Sequence, residues 1–448
     1  MLDPAAALDR LDSALAAART AGADAADAVY VGEASTGISV RLGKLEDIGR
    51  SEGEEIGLRV FVGSRSASVS SSDLSASALA VAAERAVAMA RLAPEDPWAG
   101  LAPADRLAQG DFADLDIDDP ADPSAEALRD IAQACEDAAR AVPGVTNSEG
   151  GSASAGRGVT ALATSTGFRG GKRGSSFSAS ASVIAGEGGD MQRDYAWHSA
   201  RHFADLEAAA AIGSRAGTRA VARLAPIKLE TGALPIVFDR RVGGSLLGHL
   251  IGAITGSAIT RGTSFLKDCL GERLFDSAIT IIDDPTRRRG LRSRLFDGEG
   301  LPARPTTIID AGVLTGWLLD SASARQLGLQ PTGHASRGTG GPPGASATNL
   351  HMAAGTMSPA ALLAGVRRGF YVTEMIGMGV NPVTGDYSRG ASGFLIEDGE
   401  LTRPVAEVTI AGNLKAMFAA LTAADDLEFR HATNVPTLRV DGMTVAGA

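Results

Sequence analysis

Apolar residues recur along this chain with two periods that alternate. Leu8, Leu11 and Leu15 follow Asp3-Pro4 at helical spacing. An acceptor side chain ahead of proline at the first helical position is an N-terminal signal, so the first helix runs to about Arg19. From 26 to 72 the period shortens to two: segments 27–32, 36–41 and 56–62 read as strands, with Gly32, Gly43 and Gly63 at turns. An alanine-rich helix over 75–92 closes this round. A second round opens at Asp122-Pro123, where Leu128, Ile131 and Cys135 repeat the earlier spacing. Strand-like, Ser/Gly-rich text covers 145–202, and helix returns over 206–224. Helix, strands and helix thus occur twice, at 1–92 and 122–224. The order suggests a duplicated unit forming one large antiparallel sheet with helices on one face, chance recurrence of common elements being the alternative.

Near Lys228 the texture changes. A short strand over 234–238 leads into an apolar helix over 241–256, followed by short glycine-broken strands at 278–282, 306–309, 312–319, 370–375, 393–396 and 405–410, and a late helix at 413–420. The expected fold is therefore α+β in two domains, an N-terminal α+β domain over 1–227 and a β-rich domain over 228–448. A chain of 448 residues is too long for one compact core. Aromatic residues make up only 4% and glycines number 55, so the cores must rest on Ala, Val, Leu and Ile, with many close backbone approaches.

Net charge is −11, which argues against direct nucleic-acid contact, since that affinity is dominated by cations on phosphates. Two distant cysteines, Cys135 and Cys269, form no metal-type pair and fit a reducing compartment. The N-terminus lacks a signal-peptide pattern, and no stretch approaches the roughly 18 apolar residues of a membrane span. The expected localisation is cytoplasmic.

Six histidines offer the first candidate chemistry. His198 and His202 have i,i+4 spacing but follow strand-like text without a glutamate between them, so a surface pair is the plainer reading. His249 shares a helical face with Leu246, Leu250 and Ala253, as a core or interface histidine would. Ser264-Phe-Leu-Lys267 matches a Ser-x-x-Lys motif without its partner motifs, and Gly170-Gly-Lys172 falls short of a P-loop. Arg287, Arg288, Arg289, Arg292 and Arg294 are flanked by Asp283, Asp284, Asp297 and Glu299. A self-neutralising solvated loop is the default there, and a surface for an acidic partner the alternative. The segment 377–400 is densest in turn and polar chemistry. Gly390 and Gly393 are expected to bracket a hairpin, and Asp386, Tyr387, Ser388 and Arg389 concentrate polar groups as a peptide- or partner-facing loop would.

That segment resembles the signature of the TldD/PmbA family, in its PmbA (TldE) branch. Met191-Gln-Arg-Asp-Tyr, Val237-Phe-Asp-Arg-Arg-Val-Gly-Gly-Ser-Leu-Leu, Arg261-Gly-Thr-Ser-Phe, Leu319-Asp-Ser-Ala-Ser-Ala-Arg, Ala347-Thr-Asn-Leu and Val408-Thr-Ile-Ala-Gly-Asn-Leu-Lys extend the resemblance in collinear order. The resemblance implies a two-subunit peptidase whose TldD chain carries zinc on a His-Glu-x-x-x-His helix with a later cysteine. Laid on this chain, those positions fall on Gly248, His249 and Ala253, and no cysteine follows Cys269. What it implies here is a chain with no catalytic and no metal residues of its own and no cofactor, the zinc belonging to a TldD-like partner. The two chains would enclose a chamber for unfolded or extended peptides, bound by β-augmentation, and the chain alone could form a homodimer. Two other functions stay open: an autonomous non-zinc hydrolase around His249 and Ser264, and a non-proteolytic regulator of DNA gyrase.

Overall fold

Two rounds of helix, three strands and helix build the first half of the chain, in a computed structural model that describes residues 1–110 and 112–447. The first round is α1 (Pro4–Thr20), β1 (Ala25–Arg41), β2 (Lys44–Val62), β3 (Arg65–Ser71) and α2 (Ala76–Leu92). The second is α3 (Ala125–Arg140), β4 (Val145–Thr164), β5 (Arg169–Ala185), β6 (Gln192–Ala200) and α4 (Ala209–Ala222). Their strands form one antiparallel sheet in the order β3-β2-β1-β4-β5-β6, so the first strand of each round pairs at the centre and β3 and β6 are the edges. Side-chain acceptors start three of the helices: Asp3 takes the amide of Ala6, Ser75 that of Ala78 and Ser124 that of Ala127. The α3 cap is therefore Ser124, not the expected Asp122.

All four helices cover one face. Leu11 of α1 and Leu79 and Val87 of α2 bury against Tyr30, Leu58 and Val159, and Cys135 and Ile212 bury against Val183. Small residues bring these layers close. A Cβ on Gly151 would lie 2.1 Å from the Ala132 carbonyl oxygen, and one on Gly213 would lie 2.0 Å from that of Cys135. Gly32 is likewise not a turn: β1 runs through it unbroken, and a Cβ there would lie 2.4 Å from the Tyr30 hydroxyl, for which the glycine leaves room. On the opposite face serines stand in cross-strand pairs, Ser152 with Ser180 and Ser154 with Ser178, each at 2.8 Å between hydroxyl oxygens.

The second half is β-rich. From β7 (Gly232–Phe238) the chain enters α5 (Arg240–Ala253), capped by the Asp239 carboxylate, which accepts from the Arg241 amide at 2.9 Å. β7 pairs with strands Arg368–Ile376 and Leu438–Ala446. The ring continues through Asp386–Glu397 and Glu400–Asn413 and closes where Glu400–Asn413 pairs again with Leu438–Ala446. Phe238, Phe370, Val372, Leu395, Ile410 and Val445 fill the core it shares with Leu246, Leu247 and Leu250 of α5. Gly390 and Gly393 lie inside the strand Asp386–Glu397 rather than at a hairpin. Gly393 is needed for close approach, since its Cβ would meet the Tyr371 carbonyl at 1.8 Å. The expected strand over 312–319 shrinks to Val313–Leu314, because the chain there turns into the helix Ser321–Leu327.

A buried charge cluster joins the halves. Asp27 of β1 holds both Arg59 of β2 and Arg337 of the second half, the latter at 2.7 Å. The arginine-rich loop is a strut rather than a solvated, self-neutralised loop. Arg288 and Arg289 pair with Asp116 and Arg289 also with Asp205, all acids of the first half, while Arg287 lies over the Phe429 ring at 3.4 Å.

Candidate functional site

A cavity of about 670 Å³ opens between the edge strand β6 and the first turn of α5. Strand Arg368–Ile376, Arg389 and the loop 428–435 complete its wall. Three segments that the sequence marked separately thus converge: Arg193–Tyr195, Asp239–Ser245 and the strand carrying Arg389. Their convergence makes this cavity the candidate site.

A buried ion network frames it. The Asp194 carboxylate, whose side chain is 1% exposed, accepts from both Arg241 terminal nitrogens at 2.8 and 3.1 Å and from Arg223 at 3.3 Å. Arg223 also reaches Glu374 at 2.5 Å, and Glu374 lies 3.8 Å from Arg193. Burial by itself pushes the Asp194 carboxyl upward. The hydrogen bonds and charge of Arg241, aided by Arg223, outweigh burial and hold its pKa below the ordinary value. The network ties β6, α4, α5 and the ring of strands into one frame. Asp239 is fixed from a second side by the Tyr371 hydroxyl, which donates to it at 2.9 Å.

Of the residues marked in the sequence, the structure brings His249, Tyr387 and Arg389 together. The His249 ring stands edge-on to Tyr387 with centroids 5.9 Å apart, and its buried Nε2 has no hydrogen-bond partner among the described residues. Burial, then the Arg389 charge, push the His249 pKa down, so the ring is neutral at neutral pH. Tyr387 is 2% exposed and its hydroxyl faces the Met375 sulfur at 3.2 Å; burial pushes its pKa up to about 12. Arg389 is half-buried, lines the cavity, and its Nε has no partner among the described residues. Asp386 and Ser388 lie elsewhere, because alternate residues of a strand face opposite ways. Both are exposed. Asp386 accepts from Thr384 and Asn413, and Ser388 donates its amide to Gly379.

The residues at the metal-type positions do not fit zinc. Gly248 is exposed, and a Cβ placed on it would meet nothing within 4 Å. Ala253 is buried at 5% exposure, with its carbonyl accepting from Ser264 at 2.6 Å. That leaves one imidazole, beside the Arg389 charge that would repel a cation. Among the described residues no group of three or more His, Cys, Asp or Glu is placed to hold a metal ion. No step can be routed through a metal on these side chains.

The other candidates have structural partners. Ser264 is buried, and its hydroxyl also accepts from the Leu266 amide, while Lys267 is exposed and paired with Asp268. His198 accepts from the Glu207 amide at 3.1 Å, and His202 contacts Asp116, so the two share no ligand position. Arg193, Asp194 and Arg241 lie in segments that the resemblance marked but were given no role there, and Arg223 and Glu374 were not marked at all. Beyond the resemblance, their signal was charge placed inside strand or first-turn text, where a solvated face is not expected.

The chain is 40% identical to "Metalloprotease PmbA" of Escherichia coli O157:H7 over 92% of its own length and 90% of the other's. The chain belongs to the PmbA/TldD metallopeptidase family. Its three domain models match at 26–90 (domain 1), 118–224 (central domain) and 231–447 (C-terminal domain). A PmbA homologue of Haemophilus influenzae is 35% identical, covering 92% of this chain and 89% of its own. These matches support the PmbA/TldE branch. Among solved structures, a candidate modulator of DNA gyrase from Bacteroides thetaiotaomicron superposes with a TM-score of 0.91 at 27% identity, covering 98% of each chain. TldE from Thermococcus kodakarensis shares the fold, with a TM-score of 0.84 at 20% identity over 98% of this chain and 100% of that one. No helix among the described residues is long and apolar enough to cross a membrane.

Proposed function

We propose that this chain is the catalytically silent subunit of a TldD–TldE-type zinc peptidase, acting in the cytoplasm on unfolded or extended peptides with a TldD-like partner that carries the zinc. The observation that carries this reading is the donor set on α5: glycine, histidine and alanine at the metal-type positions, with a guanidinium beside the histidine. The role left for the chain is to bind and orient peptide. The Arg389 cavity, bounded by the sheet edge β6, is the surface assigned to that role. At Tyr195 the amide donates to Asp194 and the carbonyl accepts from Arg219 at 3.3 Å, so strand addition at this residue would displace existing bonds. An autonomous Ser264 hydrolase is disfavoured, because its hydroxyl is committed to the Ala253 carbonyl.

The test is co-purification with the TldD-like partner, zinc analysis of each chain, and cleavage of an unfolded peptide by each chain and by the pair. Zinc in the partner alone and cleavage only by the pair are expected. Stoichiometric zinc in this chain, or chelator-resistant cleavage by it alone, would overturn the reading.

A further inference from the structure

The helix-free face of the first sheet carries a second cavity, of about 390 Å³, at strands β1, β4 and β5. Its floor follows from the register. Glu33, Gly158 and Gly174 form one cross-strand row, and Ser35, Gly156 and Ser176 the next, so glycines leave the backbone bare along the floor. On this face Lys172 and Arg201 stand beside them, whereas Arg157 and Arg173 alternate with the floor residues and turn to the helix-covered face, as Ala155 and Val159 do. Neither Lys172 nor Arg201 makes an ion pair among the described residues; carbonyl oxygens are their partners. Lys172 donates to Ser293 at 3.3 Å, and Arg201 to Ser175 at 2.8 Å and to Leu291. Arg173 pairs with Asp118 at 2.7 Å. Glu33 is the only carboxylate among the described lining residues, and it is exposed.

Partly buried cations without a counter-ion are costly, and one carboxylate among them would relieve the cost. The site also runs against the molecule's own net charge of −11, so it focuses a positive field inside an acidic protein. Burial, and then the neighbouring charges of Arg294 and Arg201, bring the Lys172 pKa down to about 8, as a surplus of positive charge requires.

The same face leads back to the first cavity. Serines continue from Ser176 through Ser178 to Ser180, which pairs with Trp197 of β6; Trp197 and Tyr195 line the larger cavity. The eight residue steps of strand from Lys172 to Ser180 span about 26 Å, the reach of an extended peptide of about nine residues. We propose that this serine-lined face is a track for an extended peptide, and that Lys172 and Arg201 at its end take a carboxylate of that peptide. The carboxylate comes from an acidic side chain or from the C-terminus. This inference rests on the peptide-binding reading above.

Binding to the isolated full chain tests it, using four fluorescent unstructured decapeptides at low salt: acidic or with each Glu replaced by Gln, each with a free or an amidated C-terminus. The neutral, amidated peptide is expected to bind at least about tenfold more weakly than the acidic, free one, and the two mixed peptides tell side chain from terminus. Lys172→Met should bring the acidic peptide to the neutral level. Glu33→Gln, which removes an exposed like charge, should tighten it by about twofold. The acidic peptide should also slow modification of Lys172 by an amine reagent. Equal binding of all four overturns the carboxylate site and leaves the peptide reading standing. Binding of none overturns both. If Lys172→Met fails to fold, an unchanged affinity in Glu33→Gln overturns the proposal.

Discussion

Glu299→Gln should stabilise the protein at alkaline pH and leave it nearly unchanged in acid. The Glu299 carboxyl is 4% exposed, next to Asp297, and its Oε2 accepts from the Ser321 amide at 2.8 Å and hydroxyl at 2.7 Å. Burial, then the Asp297 charge, push its pKa from 4.5 to about 7. Between those values the folded protein keeps a proton that an unfolded glutamate releases. The folded state therefore binds more protons, and stability falls as pH rises from about 4.5 to 7. The gap corresponds to about 3 kcal/mol, fully lost above pH 7. Glutamine keeps an acceptor for Ser321 and has no proton to lose. Urea unfolding followed by tryptophan fluorescence, at pH 5 and pH 8, reads the difference. The variant should match the parent within about 1 kcal/mol at pH 5 and exceed it by about 2–3 kcal/mol at pH 8. An equal shift at both values, or a less stable variant at pH 8, would refute the claim that this carboxyl is held neutral.

Asp194→Ala leaves Arg241 and Arg223 without their shared acceptor and should cost about 3–5 kcal/mol in the same unfolding assay; a loss below about 1 kcal/mol would mean solvent screens the network. Because the folded Asp194 pKa is depressed, its contribution is present above the unfolded value and fades as pH falls through the folded one, so the parent and the alanine variant should converge in strong acid. Gly248→Ala fills open space on an exposed helix position and should stabilise by about 0.5–1 kcal/mol, measured as a rise in urea midpoint. Ala253→His, by contrast, overpacks a buried contact and should destabilise by about 1–3 kcal/mol, so rebuilding a His-Glu-x-x-x-His helix here should fail on folding before it can be tested for zinc. Calorimetry on that triple variant, showing a native-like transition with bound zinc, would contradict this.

Local rules carried much of the fold. Helix starts at Asp3, Ser75 and Asn413 are caps whose side chains accept the amides of Ala6, Ala78 and Lys415, and such chemistry is written in a few adjacent residues. The turns at Gly43 and Gly63, with φ of +73° and +57°, are equally local. Glycines with negative φ misled, because Gly32 and Gly393 answer to a distant side chain or carbonyl rather than to a turn. The site was half legible. His249 and the strand at Tyr387 and Arg389 stood out by type, yet their contact depends on strand pairings more than a hundred residues apart. Asp194 and Arg241 were harder still, since an ion pair between segments 47 residues apart leaves no spacing rule to find.

The ring behind α5 closes on the strand Leu438–Ala446, which pairs with both β7 and Glu400–Asn413. During synthesis, β7 and the helix after it emerge some two hundred residues before the strand that completes their barrel. The first sheet has all its strands by Ala200 and can condense early, whereas the Arg389 wall must wait for a strand made more than two hundred residues later. Slow, non-local closure of this kind leaves apolar strand edges open for a long interval. A chain cut before that strand would present an intact first sheet and no finished cavity.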